Sequence, residues 1–324
     1  MNIKEYKLNL QQLSDSLKEF DSNRADSDYK TLNEMFKVVY KSDVLNITHL
    51  EKKEQDLFKL ELFTTLTKHS GTLAFMVIQN LAAHNIMGKN NYPNKEFYFN
   101  QKCGIAINHL RAPVTVVDSI KVEGGYLLNG TLTWASGYEI FDTLLIGFHH
   151  TGEEKEAISA FKPKDGFAIK PAEETFIGFG LNTVNIALNN YFVEDEKIVS
   201  TKKIGNYTKN KSASKTVHFC IYGLGINALE HIKDNDVVEY AQTKLLAIKE
   251  QFINSSDIDE LDALRIELFN LVLESVKTGM ILNGGSSILS EKPLQRIYKE
   301  LIMFNSNGLN NTLKSLFKKK FLEN

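Results

Sequence analysis

Few side chains in this sequence stand in a pattern that suggests chemistry. Histidine exchanges a proton near neutral pH, and His69 and His84 border an apolar segment at 70–84. An aromatic residue, a hydroxyl and a glycine follow one another closely in Trp134-Ala135-Ser136-Gly137. Taken alone, these residues fit structural histidines, a core tryptophan and a serine that begins a turn, so their chemistry depends on the elements that position them.

Composition and charge exclude several classes of protein. The 324 residues, of which 43% are hydrophobic, are enough for two or three packed units. The net charge of -2, with acidic and basic residues interspersed, gives no electrostatic footprint for nucleic acid. We expect Lys318–Lys320 to face solvent at the end of a helix, where cations are favoured.

Cysteine usage and apolar tracts bear on compartment. Cys103 and Cys220 are too few for a disulfide framework and share no metal-ligand spacing with the eight histidines, so we predict no metal site. The first residues carry charges where a signal peptide needs an apolar core, and Gln79 and Asn80 interrupt the longest apolar tract, at 73–83. We therefore expect a cytoplasmic protein with no membrane partner and no nucleic-acid partner.

The apolar period is that of helices up to about residue 95. Apolar residues recur at three- and four-residue steps, which places them on one helix face: Ile3, Tyr6, Leu10, Leu13, Leu17 and Phe20. We predict helices over about 3–20, 28–41, 51–68 and 70–84. A polar boundary at 87–96 follows, and a sheet is expected from about Phe97.

The stretch 124–199 is rich in β signals. Gly124-Gly125 is placed for a two-residue hairpin turn between strands at 114–122 and 126–132, because glycine takes positive φ without a Cβ penalty. Further short strands separated by turn residues are predicted at 141–148, 157–161 and 186–193. This spacing favours an antiparallel sandwich or a small barrel.

From about residue 212 the pattern returns to helix, with predicted helices at 217–232, 237–252 and 258–282 and a final one from about Pro293. The sequence thus predicts an α+β multidomain protein, with an N-terminal helical domain, a central antiparallel β-domain and a C-terminal helical bundle at 1–95, 96–200 and 212–324. Because 217–226 is apolar on more than one face, we also predict self-association through the bundle.

The order of landmarks in the β stretch resembles the middle domain of the acyl-CoA dehydrogenase superfamily. These landmarks are Gly-Tyr-x-Leu-Asn-Gly at 125–130, Trp134, Ser136-Gly137, Asp142 before an aliphatic strand, Ser-Ala-Phe at 159–161 and Phe-Val-Glu-Asp-Glu-Lys-Ile-Val at 192–199. The spacing of Gly284-Gly285, Pro293 and Arg296 is similar to the Gly-Gly…Pro-x-x-Arg segment of the same family. The resemblance implies helical, β and helical domains in that order, with FAD carried on the β-domain.

The resemblance also implies contacts with the flavin ring. It places Trp134 beside the isoalloxazine and the hydroxyl of Ser136 on flavin N5. The backbone amides of Gly104, Ile105 and Ala106 are expected at the polar edge of the ring. The family's phosphate-binding Gly-Ser-Asp loop is absent from the corresponding stretch, so FMN or weakly bound FAD is an alternative to tightly bound FAD.

Two further places concern the phosphates of the cofactor. His109 or Arg111 can supply positive charge in place of the missing loop, although Arg111 fits a surface ion pair equally well. By resemblance, Gly284-Gly285 approaches the FAD pyrophosphate of a neighbouring subunit, which implies a dimer or tetramer. The same two glycines also fit an ordinary helix stop.

The catalytic carboxylate of the family has no counterpart here. Asn307 stands at the usual position of the Glu, and the alternative position falls near Lys215; neither side chain is a carboxylate. The bundle, with about 60 residues between Gly223 and Gly284, is also shorter than is usual in the family. The catalytic residue is therefore left unknown, with His84 as a candidate.

The resemblance implies a flavin-dependent oxidoreductase that acts on an acyl thioester or a related small substrate. Ser136-Gly137 also matches the flavin-dependent monooxygenases that share the fold, which makes a monooxygenase the alternative. A binding protein that keeps the fold without redox catalysis is a further alternative, since a fold does not imply a function.

Overall fold

The structure, a computed structural model, describes residues 3–47, 50–111, 116–209, 214–289, 291–306 and 311–323. Helices come first along the chain, a mostly antiparallel sheet follows, and helices return after it. The predicted α+β fold class is thereby confirmed.

The N-terminal part is helical, as its apolar period predicts. Its helices are α1 (Ile3–Leu17), α2 (Ser22–Ser27), α3 (Tyr29–Lys41), α4 (Lys52–His69), α5 (Gly71–Lys89) and α6 (Lys95–Phe99). Helix α5 runs five residues beyond the predicted end at 84 because Met87, in its last turns, is fully buried. The prediction that the sheet begins at about Phe97 is wrong, since Phe97 lies in α6 and donates its N–H to the Asn94 carbonyl at 3.1 Å.

The sheet has eight strands within the described residues. They are β1 (Cys103–Ala106), β2 (Val117–Val122), β3 (Gly125–Ala135), β4 (Thr143–His150), β5 (Glu153–Ala160), β6 (Phe167–Pro171), β7 (Val184–Glu194) and β8 (Ile198–Lys203). The order across the sheet is β6-β7-β3-β2-β4-β5-β8, with β1 paired to β4. Pairing is antiparallel except that β1 and β2 each meet β4 in parallel, so the central sheet is mostly antiparallel.

Two features position the sheet. Strands β2 and β3 form a hairpin, but its two-residue turn is Glu123-Gly124 and not the predicted Gly124-Gly125, because Gly125 already pairs with Val122; Gly124 takes a φ of 73° in the turn. One face of the sheet packs on the second half of α5, where Ala83 and Met87 share a buried cluster with Cys103 and neighbouring core residues. The first strand is therefore held between the sheet and a helix.

The C-terminal helices are α7 (Asn206–Lys209), α8 (Thr216–Leu229), α9 (Asn235–Asn254), α10 (Ile258–Leu282), α11 (Pro293–Ser306) and α12 (Asn311–Glu323). Asp234 and Asp257 cap α9 and α10 through their side-chain oxygens. The helix from Pro293 was expected to be the last, but α12 follows it and packs the Phe317 ring edge-on against Phe269 at 5.4 Å. The sequence signal of α12 is weak because most of its residues are polar.

Helix α8 is covered by other helices of the same chain. A Cβ added at Gly223 would lie 2.3 Å from the Thr67 hydroxyl oxygen, so glycine is what lets α8 approach α4. Ile221 and Leu224 are fully buried. The several apolar faces of 217–226 are thus explained within one chain and give no reason to expect self-association there.

The chain forms two compact units. One comprises 1–27, 37–75 and 212–324, and the other comprises 28–36 and 76–211. The division into 1–95, 96–200 and 212–324 stays a prediction. Among the described helices, none combines the length and the apolar character needed to cross a bilayer.

Candidate functional site

Trp134 lies at an irregularity of β3 that turns its side chain outward. The register between β3 and β7 shifts between Leu132 and Ala135, and Trp134 there takes a φ of 60°, which is unusual for a bulky residue. Its side chain is 54% exposed, and its N–H donates to the Asn185 side-chain oxygen at 3.4 Å. The interpretation of Trp134 as a core aromatic is therefore wrong; the bulge presents the indole to solvent.

Two residues further on, the Ser136 hydroxyl is buried and paired. Its oxygen lies 2.9 Å from the hydroxyl oxygen of Thr183, and Ser136 is 6% exposed. The next residue, Gly137, has a φ of 86°, and a Cβ there would lie 2.2 Å from the Phe141 ring. Glycine is thus required at 137, and its carbonyl accepts the Ile140 N–H at 3.0 Å in a turn at 138–140.

A short network joins the loop after β3 to the loop before β7. The N–H of Gly137 donates to the Leu181 carbonyl at 2.6 Å, and the N–H of Tyr138 donates to the Asn182 carbonyl at 3.3 Å. The Asn182 side chain donates back to the Tyr138 carbonyl at 2.8 Å. Asn182 takes a φ of 43°, which asparagine tolerates in turns, whereas Thr183 carries no comparable signal in the sequence and was not predicted.

The three backbone amides predicted at the ring edge do not behave alike. The N–H of Thr143 donates to the Lys102 carbonyl at 3.2 Å, so the backbone groups of Lys102 face β4. Because residues alternate along a strand, this contact fixes which amides of β1 face β4 in the parallel pair. The amides of Gly104 and Ala106 therefore face β4, whereas the Cys103 amide points away from β4 and donates to the Asn80 side-chain oxygen at 3.0 Å. Ile105 has the same orientation as Cys103. Its amide alone among the predicted three is directed away from β4.

Two buried histidines near this sheet, His84 and His109, are neutral and bonded to backbone carbonyls. Burial lowers the pKa of His84 to about 4, and its ring lies 3.4 Å from the Gln101 carbonyl and 5.0 Å from the Phe99 ring. Burial likewise lowers the pKa of His109 to about 4, and its ring nitrogen lies 3.0 Å from the Gly147 carbonyl. A neutral His109 carries no charge to offer a phosphate.

Gly284-Gly285 belongs to the other compact unit, directly after α10. Gly284 has a φ of 77°, and no atom lies within 4 Å of a Cβ added at either glycine. Asn283 fixes the segment by donating its side-chain amide to the His231 carbonyl at 2.7 Å. The backbone is open to an approaching group, and the positive φ after a helix equally fits a helix stop, so both interpretations stand.

Arg296, the last landmark of that segment, is engaged inside its unit. One of its terminal nitrogens lies 3.0 Å from both carboxylate oxygens of Glu300, and the other donates to the Lys68 carbonyl at 3.3 Å. Glu300 is fully buried and also accepts the Gly71 N–H at 2.7 Å. Burial raises the pKa of Glu300 against the opposing effect of Arg296. The pair joins α11 to the start of α5 and is structural.

The resemblance implies two positions for a catalytic base, and the structure describes only one of them. Asn307 and Gly308 lie outside the described residues. Lys215 is described: its ammonium lies 2.6 Å from the Ile253 carbonyl and 3.3 Å from the Asp56 carboxylate. Arg111 is described only for its backbone.

Several solved structures share this fold over nearly the whole chain. Butyryl-CoA dehydrogenase from Megasphaera elsdenii aligns with a TM-score of 0.73 at 12% identity, over 99% of this chain and 99% of that one. The HsaA monooxygenase from M. tuberculosis aligns with a TM-score of 0.73 at 12% identity, over 100% and 98%. XiaF from Streptomyces sp., in complex with FADH2 and glycerol, aligns with a TM-score of 0.70 at 12% identity, over 99% and 96%.

No protein-family model and no curated protein matches the sequence. The similarity to solved structures establishes an acyl-CoA dehydrogenase-like fold, which confirms the resemblance at the level of architecture. Neighbours of this fold include both dehydrogenases and monooxygenases. At 12% identity, the similarity establishes the fold alone.

Proposed function

We propose that this protein is a flavin-dependent oxidoreductase that acts on an acyl thioester or a related small substrate. Trp134 carries the proposal: it is the one tryptophan of the sequence, it is 54% exposed, and a strained backbone at a bulge directs it outward. Strained backbone persists where the surrounding structure enforces it, and such residues cluster at ligand sites. An exposed indole beside a buried hydroxyl pair suits a planar ring with a polar edge.

The residues present fit the ring of a flavin better than its phosphates. Trp134 offers an aromatic face, Ser136 offers a hydroxyl donor, and Ile105 offers an amide directed away from β4. When bound, the flavin supplies hydride acceptance at its N5. For the phosphates, the described residues offer the open backbone at Gly284-Gly285, whereas His109 is neutral. FAD is the proposed cofactor, with FMN as the alternative.

Proton abstraction from an acyl thioester needs a base, and the proposal includes the loss of the usual one. Asn307 has no carboxylate, and Lys215 is a cation held by Asp56 and Ile253. Neither side chain is suited to accept an α-proton at neutral pH. Oxidation of ordinary straight-chain acyl-CoA is therefore expected to be slow.

A flavin-dependent monooxygenase is the alternative function. The observation that favours it is Ser136-Gly137, which matches the monooxygenases in sequence and in which Gly137 is required by its φ of 86°. The absence of a carboxylate at 307 also agrees with a reaction that needs no α-proton removal. Oxygen uptake by the protein loaded with reduced flavin, with no bleaching of the oxidised protein by acyl-CoA, would favour the monooxygenase.

We retain self-association in the proposal, but through the segment after α10 and not through α8. Ile281, Leu282 and Leu289 are 70%, 51% and 57% exposed and flank Gly284-Gly285 in the sequence after α10. An exposed apolar patch of this kind is typical of an interface. A second copy that covers it would bring Gly284-Gly285 against a neighbouring chain, as the resemblance implies.

Flavin binding is tested by titrating the purified apo-protein with FAD or FMN while recording tryptophan fluorescence and visible absorbance. Because Trp134 is the only tryptophan, quenching reports on the proposed site itself. We expect saturable quenching together with a perturbed flavin spectrum. A Trp134→Phe variant controls for the signal, since it should still perturb the flavin spectrum. Unchanged fluorescence and an unperturbed spectrum with both flavins would refute the proposed function.

A further inference from the structure

The hydroxyls of Ser136 and Thr183 form a pair that is set by the fold. They come from the end of β3 and the start of β7, and their oxygens lie 2.9 Å apart. The surrounding contacts between Gly137 and Leu181 and between Tyr138 and Asn182 hold the two loops in place. The pair therefore exists before any ligand binds.

Either hydroxyl of the pair can be the hydrogen-bond donor, and a bound ligand can determine which one donates. Each hydroxyl carries one proton, so only one of the two can donate to the other. When Thr183 donates, the Ser136 oxygen is the acceptor and the Ser136 proton is left for another group. When Ser136 donates to Thr183 instead, the Ser136 proton is not available to a ligand. An acceptor placed beside Ser136 therefore stabilises the arrangement in which Thr183 is the donor, because both protons are then used.

We propose that Thr183 is a positioning residue that donates to Ser136 and thereby directs the Ser136 proton towards a nitrogen acceptor of the bound ring. This inference rests on the proposed function, since the acceptor is the flavin. Ser136 is buried and Thr183 is half-buried, so water competes little for the bond between them. Hydrogen bonds in such surroundings polarise one another, which makes Ser136 a better donor when Thr183 donates to it.

A purely structural role for Thr183 makes different predictions. A hydroxyl that only tied the two loops together would change the stability of the apo-protein when removed, and its effect would add to that of removing Ser136. A hydroxyl that acts through Ser136 has no effect on the flavin once Ser136 is gone. The two roles separate in a double-mutant cycle.

The test compares Thr183→Val, Thr183→Ser, Ser136→Ala and the double variant Thr183→Val/Ser136→Ala. The measurements are the FAD dissociation constant from Trp134 fluorescence, the visible spectrum of the bound flavin, and the melting temperature of the apo-protein. We expect Thr183→Val to weaken FAD about two- to tenfold, the effect of one neutral hydrogen bond, and to shift the spectrum in the same direction as Ser136→Ala. Thr183→Ser should restore both values, and the double variant should match Ser136→Ala.

Two results overturn the inference. An unchanged spectrum and affinity in Thr183→Val, with a clear change in Ser136→Ala, would show that Ser136 needs no partner. Additive effects in the double variant would show that Thr183 acts independently. Failure of the proposed function is recognised separately, because the unmodified protein would then bind neither FAD nor FMN; that result removes both.

Discussion

Lys215 and Asp56 form an ion pair in which the lysine is buried: the ammonium lies 3.3 Å from the carboxylate, and the Lys215 side chain is 7% exposed. The same ammonium donates to the Ile253 carbonyl at 2.6 Å. This is the neighbourhood in which the family resemblance set an alternative catalytic base. Through these contacts Lys215, at the start of α8, is joined to α4 and α9.

Removing Asp56, the partner of Lys215, should destabilise the protein more than replacing both residues of the ion pair. We expect Asp56→Ala to lower the free energy of unfolding by about 3 kcal/mol, because it leaves a buried ammonium without its counter-ion. The double variant Asp56→Ala/Lys215→Met should recover much of that loss, since no charge remains. Urea denaturation measures both. An Asp56→Ala variant as stable as the unmodified protein would mean that the pair contributes nothing.

The turn at Gly137 should tolerate no side chain. Gly137→Ala places a Cβ 2.2 Å from the Phe141 ring at a φ of 86°, so we expect a loss of about 2–5 kcal/mol from backbone strain and overpacking together. Gly152→Ala is the matched control, because Gly152 has a φ of 80° with nothing within 4 Å of an added Cβ. It should lose only the backbone part, about 1–2 kcal/mol. Equal losses in the two variants would contradict the packing assigned to Phe141.

The fold should weaken in mild acid. Burial lowers the folded-state pKa of His69, His84, His109 and His218 to about 4, below the ordinary value of 6.5. The unfolded chain therefore binds more protons between these values, and stability falls as the pH is lowered from about 6.5 to about 4. The expected loss at pH 5 is about 1–2 kcal/mol for each histidine.

One buried carboxyl opposes this trend, since the raised pKa of Glu300 favours the folded state as the pH falls. Urea denaturation at pH 7 and pH 5 measures the net effect. His218→Gln isolates one contribution: His218 is 3% exposed and bonds the Leu261 carbonyl at 2.8 Å. The variant should show a smaller difference in stability between the two pH values. A difference as large as that of the unmodified protein would show that His218 does not contribute.

Local patterns predicted the elements well where the chain follows a simple period. The helix at 258–282 has the predicted bounds, because its apolar stripe and its Asp257 cap act within the element itself. The exposure of Trp134 was open to two interpretations, since it depends on a register shift between β3 and β7 that no single strand encodes. Thr183 was missed for the same reason: its partner Ser136 is 47 residues away in sequence.

Self-association should depend on the end of α10. We expect Ile281→Asp/Leu282→Asp to convert an oligomer into a monomer by light scattering at micromolar concentration, because charges in an apolar interface are costly to bury. Ile120→Asp serves as the control, since Ile120 is 61% exposed on β2 and belongs to the other compact unit. It should leave the oligomer unchanged. A monomeric unmodified protein would refute self-association, and an oligomer that survives the double substitution would place the interface elsewhere.

The lack of a carboxylate at position 307 should slow the reduction of bound flavin by acyl-CoA. With Asn307 at the usual base position and Lys215 near the other, an acyl-CoA α-proton meets no carboxylate at either position. General-base catalysis typically supplies about 10²–10⁴-fold in rate, so anaerobic mixing of the flavin-loaded protein with saturated straight-chain acyl-CoAs should give little or no bleaching. Asn307→Glu should accelerate bleaching if the substrate cavity is retained, and Asn307→Gln is the matched control without a carboxylate. Rapid bleaching by the unmodified protein would contradict the prediction and would direct the search for a base to Glu173 and Glu174, which are exposed on the loop after β6.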